Sequence, residues 1–226
     1  MNDIQAARCQ PAGLRERKKL ATRRAIGVAA MRLAVAHGLE NVLIDEIAAE
    51  AGVSARTFSN YFASKYEAIC ALAMDRGALI GAALRERPAG EPLADAIAHA
   101  VVGQYAAAEQ APDKDWIAGV GLVISSPALQ GEYLRTQYVT QRALAEAIAE
   151  RAGSGQASDM LPQILAGAVT AATQVAMERW LHADPPAALA PLIRRALSDL
   201  TRCLAALGTP DVRRAHNGFP PVQAAS

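Results

Sequence analysis

Between two short runs of helical periodicity the chain reads Ala51-Gly52-Val53-Ser54, and this junction narrows the fold more than any other feature. A helix that ends at Ala51 needs a residue tolerant of left-handed backbone just beyond it, which Gly52 supplies. Ser54 is a good N-cap, because its hydroxyl can accept an otherwise orphaned backbone N–H. Two short helices are therefore expected on either side of a tight turn, about 45–51 and 54–61. Asp45 and Glu46 suit the positive end of the first, and Phe58 and Phe62 lie one turn apart on the buried side of the second. Upstream, Ile26, Ala30, Leu33 and His37 follow helical spacing to a stop at Gly38, which predicts a first helix over 14–37.

Helical punctuation continues downstream. Ser64 starts a long helix that Pro88, Gly90 and Pro92 end, and further helices are expected at about 92–109, 114–125, 127–152, 159–183 and 187–207. Apolar residues make up 52% of the chain but aromatics only 4%, so Ala and Leu carry the core, which favours helix over strand. The expected fold is all-α: a flexible arm over 1–13, a helix-turn-helix domain over 14–63, a larger helical body over 64–207 and a disordered tail over 208–226. Residues 160–177 hold no charge, yet Pro162, Gln163, Thr170, Thr173 and Gln174 fit a buried or interfacial helix better than a membrane span. The expectation is a soluble, cytoplasmic protein without a membrane segment.

The net charge of +1 hides an asymmetry. Residues 8–24 hold seven basic side chains and one acid, whereas the chain beyond residue 66 sums to −3. A basic end on a mildly acidic body suggests that one end meets a polyanion, although a solvated basic tail would read the same way. The chain has no phosphate-binding GxxxxGK[ST], no HExxH and no GxSxG. His37, His99, His182 and His216 lack metal spacing, and Cys9, Cys70 and Cys203 form neither a disulfide framework nor a zinc pattern. No catalytic residue, metal or cofactor is expected.

Residues 44–65 (Ile44-Asp45-Glu46-Ile47-Ala48-Ala49-Glu50-Ala51-Gly52-Val53-Ser54-Ala55-Arg56-Thr57-Phe58-Ser59-Asn60-Tyr61-Phe62-Ala63-Ser64-Lys65) resemble the DNA-binding domain of TetR-family regulators. A recognition helix exposes short polar and basic side chains on one face while the other packs. Ser54, Ala55, Arg56, Thr57, Ser59 and Asn60 fit that face. Arg56 could bond guanine O6 and N7, Asn60 adenine N6 and N7, and the Thr57 methyl a thymine methyl. The resemblance implies that Tyr61 and Lys65 touch phosphate; Tyr61 reads also as a core aromatic. Arg15, Lys18, Lys19 and Arg23 are candidates for backbone contact by the arm. Two positions depart from the family pattern. Leu43 stands where a capping Ser or Thr is usual, and Ser59 where an aromatic is common.

The resemblance further implies a dimer built on the last two helices, with Ile164, Ala168, Ala172, Leu192, Ala196 and Leu200 at the interface, bound to a palindromic double-stranded operator. Residues 121–206, with Pro127-Ala128-Leu129, Leu144-Ala145-Glu146-Ala147-Ile148-Ala149-Glu150-Arg151 and Arg179-Trp180-Leu181, are similar to a subgroup that takes acyl-CoA-like ligands. Arg135 or Arg142 would then be available to a head group. Candidate ligand-binding residues are His99, Tyr105, Trp116, Tyr133, Gln137, Gln174, Met177 and Glu178, with Gln104, Tyr138 and Trp180 beside them. Each has a plain structural alternative. The expected function is that of a homodimeric repressor released by a small apolar effector. An activator, and a ligand-binding or scaffold protein with weakened DNA reading, stay open.

Overall fold

The computed structural model describes residues 13–106, 114–153, 159–183 and 188–207. Among these residues the chain is helical, without strands: α1 Leu14–His37, α2 Ile44–Glu50, α3 Ala55–Ser59, α4 Lys65–Arg85, α5 Leu93–Ala106, α6 Lys114–Ser125, α7 Gln130–Ala152, α8 Met160–Leu181 and α9 Leu189–Leu207. Single 3₁₀ turns at Leu39–Asn41 and Pro127–Leu129 precede α2 and α7. The helix expected over 127–152 therefore begins as a 3₁₀ turn with Pro127 at its start, where a missing N–H is tolerated. The expected arm up to residue 12 and the tail from 208 lie outside the described residues.

Packing divides the chain into two units. The first draws on Met1–Ala78 and Pro112–Thr140. Its core joins Ile26 and Ala30 of α1, Ile47 of α2, Phe58, and Ile69 and Cys70 of α4, all close to fully buried. Positions 14–20 of α1 are exposed throughout, so the basic first turns project while the later turns pack, as the spacing predicts. Burial pushes the Cys70 thiol up to about 12, with the Glu132 carboxylate adding to the effect. One Glu132 oxygen, Oε2, is itself buried without a hydrogen bond. In the same unit α4 and α7 approach closely at Gly77, where a Cβ would lie 1.9 Å from Thr140 Oγ1.

The second unit draws on Leu79–Ala111 and Gln141–Ser226. Here α9 packs on both α8 and α5, and Leu189, Ile193 and Leu197 of α9 are buried, as are Val101 of α5 and Ala166 and Trp180 of α8. Gly81 brings α4 against the backbone of Ala143, 2.8 Å from where a Cβ would sit. The turn after α4 is held by Arg151, whose guanidinium donates to the carbonyls of Arg87, Pro88 and Glu91. By length and composition α8 is apolar enough to cross a membrane. It packs against α9 along one side and leaves Met160, Leu161, Ile164 and Val175 exposed on another.

Candidate nucleic-acid interface

The helix-turn-helix is built as its sequence demands. Leu43, in extended conformation, is the N-cap of α2 and offers no side-chain acceptor. Its own N–H donates to Glu46 Oε2 at 3.0 Å, the half of a capping box that needs no polar cap. Gly52 takes φ +69°, the left-handed conformation that ends α2, and Val53 N–H closes the turn on Ala48 O at 2.9 Å. Ser54 Oγ then accepts the Thr57 N–H at 3.1 Å and starts α3.

This α3 is short. The helix expected to reach Tyr61 ends at Ser59, with Asn60 as its C-cap. Phe58 anchors it, fully buried, with its ring centroid 5.8 Å from that of Phe62. The opposite face presents Arg56, Ser59 and Asn60 to solvent, with Ala55 and Thr57 half-buried. Among the described residues Arg56 forms no ion pair, and the Asn60 amide no side-chain hydrogen bond, so both are available to base edges. Two hydroxyls are already engaged: Thr57 Oγ1 lies 2.9 Å from Ser54 Oγ, and Ser59 Oγ donates to Ala55 O at 3.1 Å. Ser59 thus turns back onto its own helix, as serines within helices do.

The expected phosphate contacts separate into two groups. Arg15, Lys18 and Lys19 lie together on one exposed face of α1 without ion pairs among the described residues. Lys65 instead donates its ammonium to Glu40 O at 3.2 Å and Val42 O at 3.1 Å, tying the turn before α2 to the start of α4. Arg23 is likewise turned inward: Nε lies 3.3 Å from Asp75 Oδ1, and the guanidinium carbon sits 4.5 Å from the centroid of the Phe62 ring. Tyr61 is half-buried and packs on the core of the first unit.

The ligand-binding candidates are distributed over both units. In the first unit Gln137 Nε2 donates to Tyr133 OH at 2.6 Å. Trp116 lies on α6, its side chain outside the described residues. In the second unit the Tyr105 hydroxyl donates to Met177 Sδ at 3.8 Å, partly buried. Gln174 bonds Glu178 at 3.0 Å on the surface. His99, a ligand candidate that reads also as an exposed or satisfied histidine, is exposed, with Nδ1 2.7 Å from Glu91 Oε1. Glu91 also receives both arms of the Arg87 fork, and these partners, Arg87 first, hold its carboxyl down to about 2. A cleft of about 510 Å³ between α5 and α9, floored by Val102 and Ala190 and rimmed by Arg194, Arg195 and Arg202, is absent from the sequence-based set. The only signal for it is the spacing of those arginines on α9, which equally fits a solvated face. Of the interface candidates, Ile164 is exposed and Ala168, Ala172, Leu192, Ala196 and Leu200 are half-buried.

Comparison with known proteins agrees with this architecture at both ends. Residues 26–69 match the family described as bacterial regulatory proteins, tetR family, and residues 91–205 match the MftR C-terminal domain. The regulator TcmR of Streptomyces glaucescens is 34% identical over 180 residues, spanning 76% of this chain and 79% of its own. The transcriptional regulator MftR of Mycobacterium tuberculosis is 28% identical over 167 residues, spanning 74% of this chain and 83% of its own. A crystal structure of a TetR-family regulator from Syntrophomonas wolfei superposes with a TM-score of 0.62 at 18% identity, over 85% of this chain and 98% of that one.

Proposed function

Since this chain belongs to the TetR family of DNA-binding transcriptional regulators, which are not enzymes, we propose that it is a dimeric cytoplasmic repressor. A small apolar or acyl-type effector would release it from a palindromic operator. The observation that carries this reading is α3 itself: Phe58 anchors one face while Arg56 and Asn60 stand unengaged on the other. In this reading residues 14–63 form the DNA-binding domain and residues 64–207 the body. Arg56, Asn60 and the Thr57 methyl read bases, and Ser54, Ala55, Ser59, Tyr61 and Lys65 border the phosphates. Arg15, Lys18 and Lys19 track the backbone from α1.

The dimer reading is supported by the apolar stripe Met160, Leu161, Ile164 and Val175, which one chain leaves in water. A two-fold pair would present two α3 helices about 34–36 Å apart, one DNA turn. Support for an effector is local: Tyr105 and Met177 in the second unit, and Tyr133 and Gln137 in the first, are polar or polarisable groups among apolar neighbours.

The test is selection of duplexes from a random-sequence pool, followed by binding measurements on the selected site. We expect a palindromic site, bound by the protein with affinity reduced about tenfold or more in the Arg56→Ala/Asn60→Ala variant. Failure to enrich any duplex at low salt would overturn the DNA-binding reading. Falling target expression on deletion of the gene would make the protein an activator.

A further inference from the structure

A recognition helix of only five residues cannot hold its own orientation; its two ends must be fixed from outside. The N-terminal end is fixed by the Ser54 cap and the Gly52 turn. At the other end, after α3 stops at Ser59, residues 60–64 cross to α4 without regular structure. The far end of that crossing is held by Glu67, whose carboxylate accepts the Ala63 N–H at 2.7 Å, and its near end by Arg23, which makes two contacts there and a third to α4. Arg23 Nε meets Asp75 Oδ1 of α4 at 3.3 Å, Nη1 donates to the Tyr61 carbonyl at 3.5 Å, and the guanidinium lies over the Phe62 ring. Its side chain is 21% exposed, unlike the neighbouring Arg24, which faces solvent.

We propose that Arg23 is a positioning residue for DNA recognition: oriented by Asp75, it clamps the exit of α3 at Tyr61 and Phe62 and so sets the angle at which Arg56 and Asn60 are presented. The chemistry suits arginine. Its planar fork gives one edge to a carboxylate and another to a carbonyl while its face covers an aromatic ring, which a lysine ammonium cannot do at once. Phe62, itself buried and packed on Phe58, passes the constraint to the anchor of α3. This inference rests on the DNA-binding reading for its consequence, but the clamp itself is a property of the free protein.

The experiment compares Arg23→Met, Asp75→Asn and Arg24→Met in the full chain, with two readouts. The first, without DNA, is amide hydrogen exchange. Arg23→Met and Asp75→Asn should speed exchange over residues 60–63 relative to wild type, and Arg24→Met should not. The second uses the duplex selected by the wild-type protein and the same duplex with one half-site scrambled. The clamp predicts that Arg23→Met and Asp75→Asn each reduce discrimination between the two duplexes by about tenfold, part of the worth of a bidentate base contact. Neither should change the salt dependence of binding, because no phosphate contact is lost. A slope shallower by about 0.9 in Arg23→Met, with Asp75→Asn binding as well as wild type or better, would make Arg23 a phosphate ligand and overturn the proposal. Unchanged exchange over 60–63 in both variants would overturn it as well. Should Arg23→Met fail to fold, Asp75→Asn decides alone, since it keeps every cation of α1. If the wild-type protein selects no duplex, the DNA-binding reading falls, and the exchange data still judge the clamp.

Discussion

Replacing Gly77 with alanine should destabilise the protein, although the same change in an open helix stabilises one. In a helix interior, glycine to alanine gains about 0.5–1 kcal/mol of backbone entropy. At Gly77 the new Cβ would lie 1.9 Å from Thr140 Oγ1, 2.8 Å from Thr140 Cβ and 3.2 Å from its Cα. Rotating Thr140 about χ1 removes only the first of these contacts, and it breaks the hydrogen bond from Oγ1 to Thr136 O, now 2.8 Å. The remaining two contacts are with the Cβ and main chain of α7, so the helix itself must shift. Overpacking of this kind costs about 1–3 kcal/mol, and loss of the Thr140 bond adds about 1 kcal/mol. The balance is a net destabilisation of roughly 1–3.5 kcal/mol. Gly103 on α5 is the matched control: nothing lies within 4 Å of its Cβ position, and Gly103→Ala should stabilise by about 0.5–1 kcal/mol. Urea unfolding of both variants at one protomer concentration reads the two signs directly. If Gly77→Ala proves as stable as wild type or more so, α4 and α7 do not approach as described.

Leu43→Ser should complete the capping box that Glu46 half forms, raising stability by up to about 1 kcal/mol with a limited loss of buried apolar surface, since Leu43 is 61% exposed; an unchanged melting temperature would refute this. Glu91, held down to about 2 by Arg87 and His99 from an ordinary 4.5, contributes stability that is present above the ordinary carboxylate range and is lost as pH falls through about 2. A carboxyl NMR titration should show Glu91 moving up toward its ordinary value in Arg87→Met, and an unmoved midpoint would refute the pairing. Ile164→Asp, at an exposed position of α8, should leave the chain folded and turn the dimer into a monomer by light scattering; a persisting dimer would place the interface elsewhere.

The helix-turn-helix was legible because each of its instructions is local. Gly52 must take a positive φ, Ser54 must cap, and Phe58 must face inward, whatever the rest of the chain does. The basic residues were harder to sort. Arg23 and Arg24 are the same residue type one position apart, and only tertiary packing turns one onto Asp75 and Phe62 and leaves the other in water. Lys65 shows the same ambiguity: an ammonium placed to meet phosphate is equally able to gather two loop carbonyls. The His99 partner, Glu91, lies eight residues back and before the start of α5, where helical periodicity gives no sign of it. Polar residues on long apolar helices mark no single wall, and which of the ligand candidates share a wall depends on helix rotation that periodicity leaves open.

The raised pKa of Cys70 bears on how this protein meets chemical stress. Oxidants and alkylating agents attack the thiolate. With a pKa of about 12, the anionic fraction of Cys70 at neutral pH is about one part in 10⁵, against a few per cent for an ordinary thiol. The sulfur at the centre of the first unit is therefore inert, more a small hydrocarbon than a nucleophile. Of the two described cysteines, an electrophile added to the folded protein should find Cys203 on the exposed side of α9 and leave Cys70 untouched. Modification of Cys70 would then report unfolding, so its slow labelling can time the opening of that core with a reagent as simple as iodoacetamide.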